Sequence, residues 1–198
     1  MPEFRLGPSS GKTASGLRPD RFEGAIYVAG ATCLGDQETI VAIMFVRAQV
    51  ISRGAGRSIV SAAAYRHRAR MMDEQAGTSF SYRGGVGELK HEELALPDQL
   101  PAWLHTAIEG KTVAAASEAL WNAVDAFETR ADAQLARELI IALPEELTRA
   151  ENIALVREFV RDNLTSKGMI ADWVYHDKDG NPHIHLMTAL RPLTEEGF

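Results

Sequence analysis

The chain is close to continuously apolar from Val41 to Val46, and the run Val41 to Ile51 predicts a buried strand. Arg53-Gly54-Ala55-Gly56 breaks the pattern, and a helix is predicted from about Ser58 to Met72, with Ser58 as its cap. A short strand near Thr78 to Arg83 ends at Gly84-Gly85, and a loop-rich stretch follows around Pro97 and Pro101. Val113 to Arg130 has helical spacing, with Ala116, Leu120, Ala123, Val124 and Phe127 on one face. Gln134 to Leu143 predicts a strand whose end, Leu139 to Leu143, is apolar on both faces, as a central position requires. Pro144 stops it. Ala150 to Ser166 then reads as an amphipathic helix ended by Gly168. Two final strands, Met169 to His176 and His183 to Leu190, are joined by Asp177-Lys178-Asp179-Gly180-Asn181-Pro182. The mixture predicts an α+β fold, an antiparallel sheet covered by helices.

Residues 1–40, rich in glycine, serine and proline without a sustained period, are expected to be a disordered linker or extension outside this domain, which spans 41–198. They carry Gly7-Pro8-Ser9-Ser10-Gly11-Lys12-Thr13, which has three residues between its glycines where a phosphate-binding loop needs four. No hydrophobic strand precedes it, so ATP is not expected. One cysteine, Cys33, excludes an internal disulfide and fits a reducing cytoplasm. No apolar run reaches the roughly 20 residues of a membrane span, so no membrane partner is expected, and a monomer is the default.

A formal net charge of -6 argues against a nucleic-acid partner until its distribution is examined. Between Val41 and Met72 lie Arg47, Arg53, Arg57, Arg66, Arg68 and Arg70 and no acidic residue. The acidity belongs to the rest of the chain, so Arg57, Arg66, Arg68 and Arg70 are candidate DNA contacts. A solvated helix face is the plain alternative; Tyr65 among these arginines favours chemistry.

The strongest chemical signal is Tyr175-His176-Asp177-Lys178-Asp179-Gly180-Asn181-Pro182-His183-Ile184-His185. Residues two apart on a strand share a face, so His183 and His185 point one way and Ile184 and Leu186 the other, into the core. His176 and His183 flank the loop and fall about opposite each other in an antiparallel hairpin. Three converging imidazoles hold a divalent ion and leave coordination positions open, as a catalytic site does. Imidazole alone leaves the metal undecided among zinc, nickel, copper and iron.

A helical tyrosine among alanines is usually a core residue, but the arginines around Tyr65 favour the phenolate and make the phenol a better nucleophile. Small side chains, Ala62 among them, leave room beside it for a substrate backbone. The segments Gly56-Arg57-Ser58 through Ala64-Tyr65-Arg66, Arg137-Glu138-Leu139-Ile140-Ile141-Ala142-Leu143-Pro144, and Gly180-Asn181-Pro182-His183-Ile184-His185-Leu186-Met187 occur in one order. With them the chain from Val41 to Phe198 resembles the MobA/MobL (MobQ-type) relaxases of the HUH endonuclease superfamily, especially the N-terminal domain of TraA-type conjugal transfer proteins.

The resemblance implies an HUH relaxase-like fold with its three-histidine site on the last hairpin. It also implies nicking of one strand at a plasmid transfer origin, with Tyr65 as the nucleophile and a 5′-phosphotyrosine as the product. His176, His183 and His185 would hold Mg2+ or Mn2+, and Glu138 fills the acidic position of the middle motif as base, support or structural partner. Single-stranded DNA and accessory relaxosome proteins are the implied partners, and Tyr82 is a candidate stacking platform or, equally, a strand residue packed against the sheet. The helicase-like region of TraA-type proteins is not expected within these residues. The alternative readings are a rolling-circle replication initiator and a non-catalytic DNA-binding module with a structural zinc.

Overall fold

The computed structural model describes residues 25–29 and 43–197 except 179, 192 and 196. Its centre is a six-stranded antiparallel sheet in the order β1-β2-β6-β8-β7-β5. The strands are β1 (Ala25–Ala29), β2 (Ile43–Ser52), β5 (Leu89–Ala95), β6 (Gln134–Ala142), β7 (Ala171–Lys178) and β8 (Asn181–Ala189). A two-stranded hairpin, β3 (Arg70–Asp73) and β4 (Thr78–Ser81), stands apart from it. Among the described residues the α-helices are α1 (Ile59–Arg66), α2 (Ala102–Ile108), α3 (Val113–Phe127) and α4 (Arg149–Asn163).

Strand alternation divides the side chains between two cores. On one face, Trp173, Tyr175, Ile184 and Leu186 pack with Val156 and Val160 of α4. On the other, Ile51, Ala136, Met187 and Ala189 pack against Ile59, Val60, Ala63 and Ala64 of α1 and Leu120, Trp121 and Val124 of α3. The strands β8 and β7 each bury both faces. The α+β layering and the central place of the β6 segment therefore agree with the hydrophobic pattern. Burial of side chains such as Leu120 and Trp121 contributes about 1.5–3 kcal/mol each.

Caps set the helix starts. The Ser58 hydroxyl accepts from the Ser61 amide at 3.0 Å, as expected, and Thr148 forms a full capping box with Glu151 at the head of α4.

The end of α1 corrects the expectation of a helix running to Met72. It stops at Arg66. The Arg68 amide bonds the Tyr65 carbonyl at 3.3 Å and the Ala69 amide bonds the Ala64 carbonyl at 3.0 Å, with Arg68 at φ 49, the geometry of a Schellman stop. Glycine usually marks that left-handed position. An arginine stands there, so the sequence carries no stop signal, and Met72 lies on β3, where it is exposed. Neither β5 nor α2 is apparent in the pattern; β5 reads Leu-Lys-His-Glu-Glu-Leu-Ala and, among the described residues, pairs on one side alone, with β7. Ala25–Ala29, within the stretch expected to lie outside the domain, pair with β2. Cys33 and the Gly7 to Thr13 segment lie outside the described residues. Among the described residues, no helix is long and apolar enough to cross a membrane.

Candidate active site

The hairpin register places His176 directly opposite His183, while His185 pairs with Val174 on one side and Ile140 on the other. The three imidazoles each offer a nitrogen, all within 4.8 Å of one another. Each ring is fixed through its other nitrogen. His176 Nε2 donates to the Arg66 carbonyl at 2.7 Å, His183 Nδ1 to the Asn181 carbonyl at 2.8 Å, and His185 Nδ1 to Glu138 Oε1 at 3.0 Å. The Nδ1 of His176 is buried without a protein partner, an arrangement that costs free energy unless something binds there. Three fixed rings with inward-facing lone pairs suit a divalent cation, and His176 Nδ1 with the free Nε2 of His183 and of His185 are the atoms that would hold it.

Electrostatics keep two of these rings unprotonated. Burial pushes His176 down to about 4, reinforced by His185, Arg68 and His183 and opposed by its bond to the Arg66 carbonyl. Burial also lowers His185, against the pull of Glu138. Neutral imidazoles are the form that binds metal.

Glu138 is fully buried on β6 and accepts from His185, from Arg66 Nε at 2.7 Å, and from the Gln49 amide of neighbouring β2. Burial alone would raise its pKa, but the His185 bond, the Arg66 charge and the Gln49 bond hold it at about 2, so it is a carboxylate at neutral pH. These three hydrogen-bond partners frame the site.

Tyr65 lies on the last turn of α1 and is 42% exposed. Its ring centroid lies 6.4 Å from that of His185, and it shares a cavity of about 650 Å³ with Arg68, Glu88, Lys178, His183 and His185. The phenol and the imidazoles thus meet on one side of the sheet. The Arg68 guanidinium lies 4.2 Å from the Tyr65 ring centroid and donates to Glu88 at 2.7 Å. Its side chain passes over Gly85, where a Cβ would come within 2.8 Å of Arg68 Nε.

The four arginines expected on DNA divide. Arg57 and Arg70 are exposed, and Arg68 borders the cavity. Arg66 differs from them: it is 7% exposed, ion-paired to Glu138, and bonded to the Ala62 carbonyl. Its charge neutralises an internal carboxylate, and the residue also lines the space beside Tyr65. The acid-free run of arginines grouped it with its neighbours.

The sequence reading missed His67 and Asp172. His67 Nε2 meets Asp172 at 2.9 Å and Nδ1 meets Glu92 at 2.8 Å, while Asp172 also accepts from Ser117 and Trp121, each at 2.6 Å. Burial would lower the His67 pKa, but the two carboxylates raise it to about 9 and keep it charged. Asp172, held well below the usual carboxylate range by His67 despite its burial, is four residues before His176 and shares its strand face. That spacing was the available signal.

An antiparallel sheet that carries a three-imidazole cluster on its central hairpin, with a tyrosine helix laid over it, defines a relaxase-like α+β protein. The chain belongs to the MobA/MobL family, which it matches over residues 57–198. It is 56% identical to the conjugal transfer protein TraA of Agrobacterium fabrum and 57% identical to the probable conjugal transfer protein TraA of Sinorhizobium fredii, over 80% and 75% of this chain. It covers 14% and 13% of those two proteins, a small part of their length. The mobilization protein MobL of Acidithiobacillus ferridurans is 38% identical over 69% of this chain and 32% of its own. A solved structure described as "Molecular Basis of Vancomycin Resistance Transfer in Staphylococcus aureus" superposes with a TM-score of 0.67 at 29% identity, over 79% of this chain and 74% of that one.

Proposed function

We propose that this chain nicks one strand of DNA at a plasmid transfer origin and remains joined to the cut 5′ end through Tyr65. The observation that carries this reading is the cavity shared by Tyr65 with His183 and His185. The Tyr65 oxygen forms a bond to the scissile phosphorus in line with the bond that breaks, and the 3′-oxygen leaves as a hydroxyl after taking up a proton. The phenol proton passes to solvent at the open side of the cavity. One phosphoester replaces another, so the reverse step can rejoin the strand without ATP.

His176, His183 and His185 would hold a divalent cation, Mg2+ or Mn2+, which would supply positive charge against the phosphate oxygens. Glu138 with Arg66 positions His185. Glu138 does not touch the phenol in this reading; it is a positioning residue. Arg57, Arg68 and Arg70 contact the phosphate backbone, and Arg68 also holds the Tyr65 ring. The partners are single-stranded DNA at the transfer origin and accessory relaxosome proteins, in the cytoplasm, with the chain acting as a monomer.

The test is a labelled single strand carrying the transfer-origin nick site, incubated with Mn2+ and run on a denaturing gel. Wild-type protein yields a covalent adduct and Tyr65→Phe yields none. An adduct that survives in Tyr65→Phe removes the nucleophile assignment.

A further inference from the structure

Tyr65 borders a second cavity, of about 390 Å³, and is the one residue common to both. This second space lies between α1, β2 and the β3–β4 hairpin, and its lining includes Gln49, Arg57, Ser61, Phe80 and Tyr82. The Tyr65 ring stands between the two, edge-on to Tyr82 with centroids 5.5 Å apart on one side and to His185 on the other.

The lining combines what a nucleobase needs. Phe80 and Tyr82 are backed by the core around α1, so their rings are held in place before anything binds. The Ser61 and Tyr82 hydroxyls are 3.0 Å apart. One proton serves that bond, and the other remains to donate to a base edge. Arg57 is exposed at this cavity, where it can meet the attached phosphate. Aromatic faces together with a spare hydroxyl donor and a cation are the features by which proteins hold unpaired bases.

We propose that this second cavity is the subsite for the base of a nucleotide immediately 3′ of the cut, on the strand that stays attached to Tyr65. The assignment rests on the nicking reading above and follows from its stereochemistry. In an in-line displacement the leaving 3′-oxygen departs opposite the attacking phenol oxygen, so the nucleotide on the 5′ side of the cut lies across the histidine cavity from Tyr65. The nucleotide on the 3′ side remains bonded to Tyr65 through its phosphate. Its base is tethered beside the tyrosine, and the cavity flanked by Tyr82 adjoins it there.

The test scans 2-aminopurine, one position at a time, along a single strand from the transfer origin bound to Tyr65→Phe protein, and reads fluorescence quenching by stacking. One position should be quenched, the quenching should be lost in Tyr82→Leu, and affinity should fall about tenfold with that variant. Tyr82→Phe keeps the ring and should keep the quenching while losing discrimination between bases at that position. A matching thermal melt shows that each variant is folded, and the Ser61→Ala variant repeats the discrimination arm if Tyr82→Leu does not fold. The adduct formed by wild-type protein maps the quenched position relative to the cut. Quenching unaffected by these changes, or a quenched position on the 5′ side, overturns the subsite. If wild-type protein forms no adduct while quenching at one position still depends on Tyr82, the nicking reading fails and the 3′ assignment fails with it, but the base pocket stands.

Discussion

Arg66 occupies the point where the tyrosine helix and the imidazole cluster are tied together. Its side chain neutralises Glu138, which fixes His185, and its carbonyl fixes His176. Removing the carboxylate with Glu138→Ala would free the His185 ring and leave a buried guanidinium without its counter-charge. The expected cost is about 3–5 kcal/mol in stability and about 10- to 100-fold in metal affinity. Denaturant melts and calorimetric titration with Mn2+ measure the two effects. Unchanged metal affinity would show that Glu138 does not orient the ligand. The sequence pointed to the three histidines through strand alternation and to this carboxylate through the family resemblance, but it did not show that Arg66 is paired to it. Helix spacing says which residues are neighbours; it does not say which neighbour meets an internal charge.

At the scale of elements, the end of α1 is fastened to the sheet and to α3 by the His67, Asp172 and Glu92 network. The network gives stability a defined pH dependence. The folded-state pKa of His67 is about 9, above its value of 6.5 when free, so the folded protein binds more protons between these values. Its contribution is therefore complete below about pH 6.5 and is lost as pH rises through 9. The change is on the order of 1–3 kcal/mol, measured as a fall in the denaturation midpoint between pH 6 and pH 9.5. His67→Gln should flatten that slope; a slope that survives the substitution would assign it to other groups. Ser58 is worth about 1 kcal/mol to α1 through its cap, and Ser58→Ala should lower stability by that amount, or more because the hydroxyl also donates to Asp73 at 2.6 Å. A melt of that variant checks it.

For the whole molecule, the three imidazoles stand on β7 and β8, neighbouring strands buried on both faces, so the fold is expected to persist without a bound ion. Chelation with EDTA should abolish strand cleavage while the far-ultraviolet spectrum stays the same and the melting temperature falls by only a few degrees. Unfolding of the hairpin on chelation would favour the structural-zinc alternative instead. The amino-acid sequence by itself determined the layer architecture, the paired final strands, the face shared by the histidines, and the presence of a tyrosine among arginines. These follow from periods of 2 and 3.6 residues, which act over a few neighbours. Three features were decided by tertiary structure alone. The helix ends at Arg66 because a non-glycine residue takes the left-handed turn and His67 is drawn to Asp172, 105 positions away along the chain. The polar strand β5 forms because β7 offers it an edge. Tyr65 reaches the imidazoles because α1 and the last hairpin pack on the same face of the sheet, a contact between distant segments that no local pattern encodes.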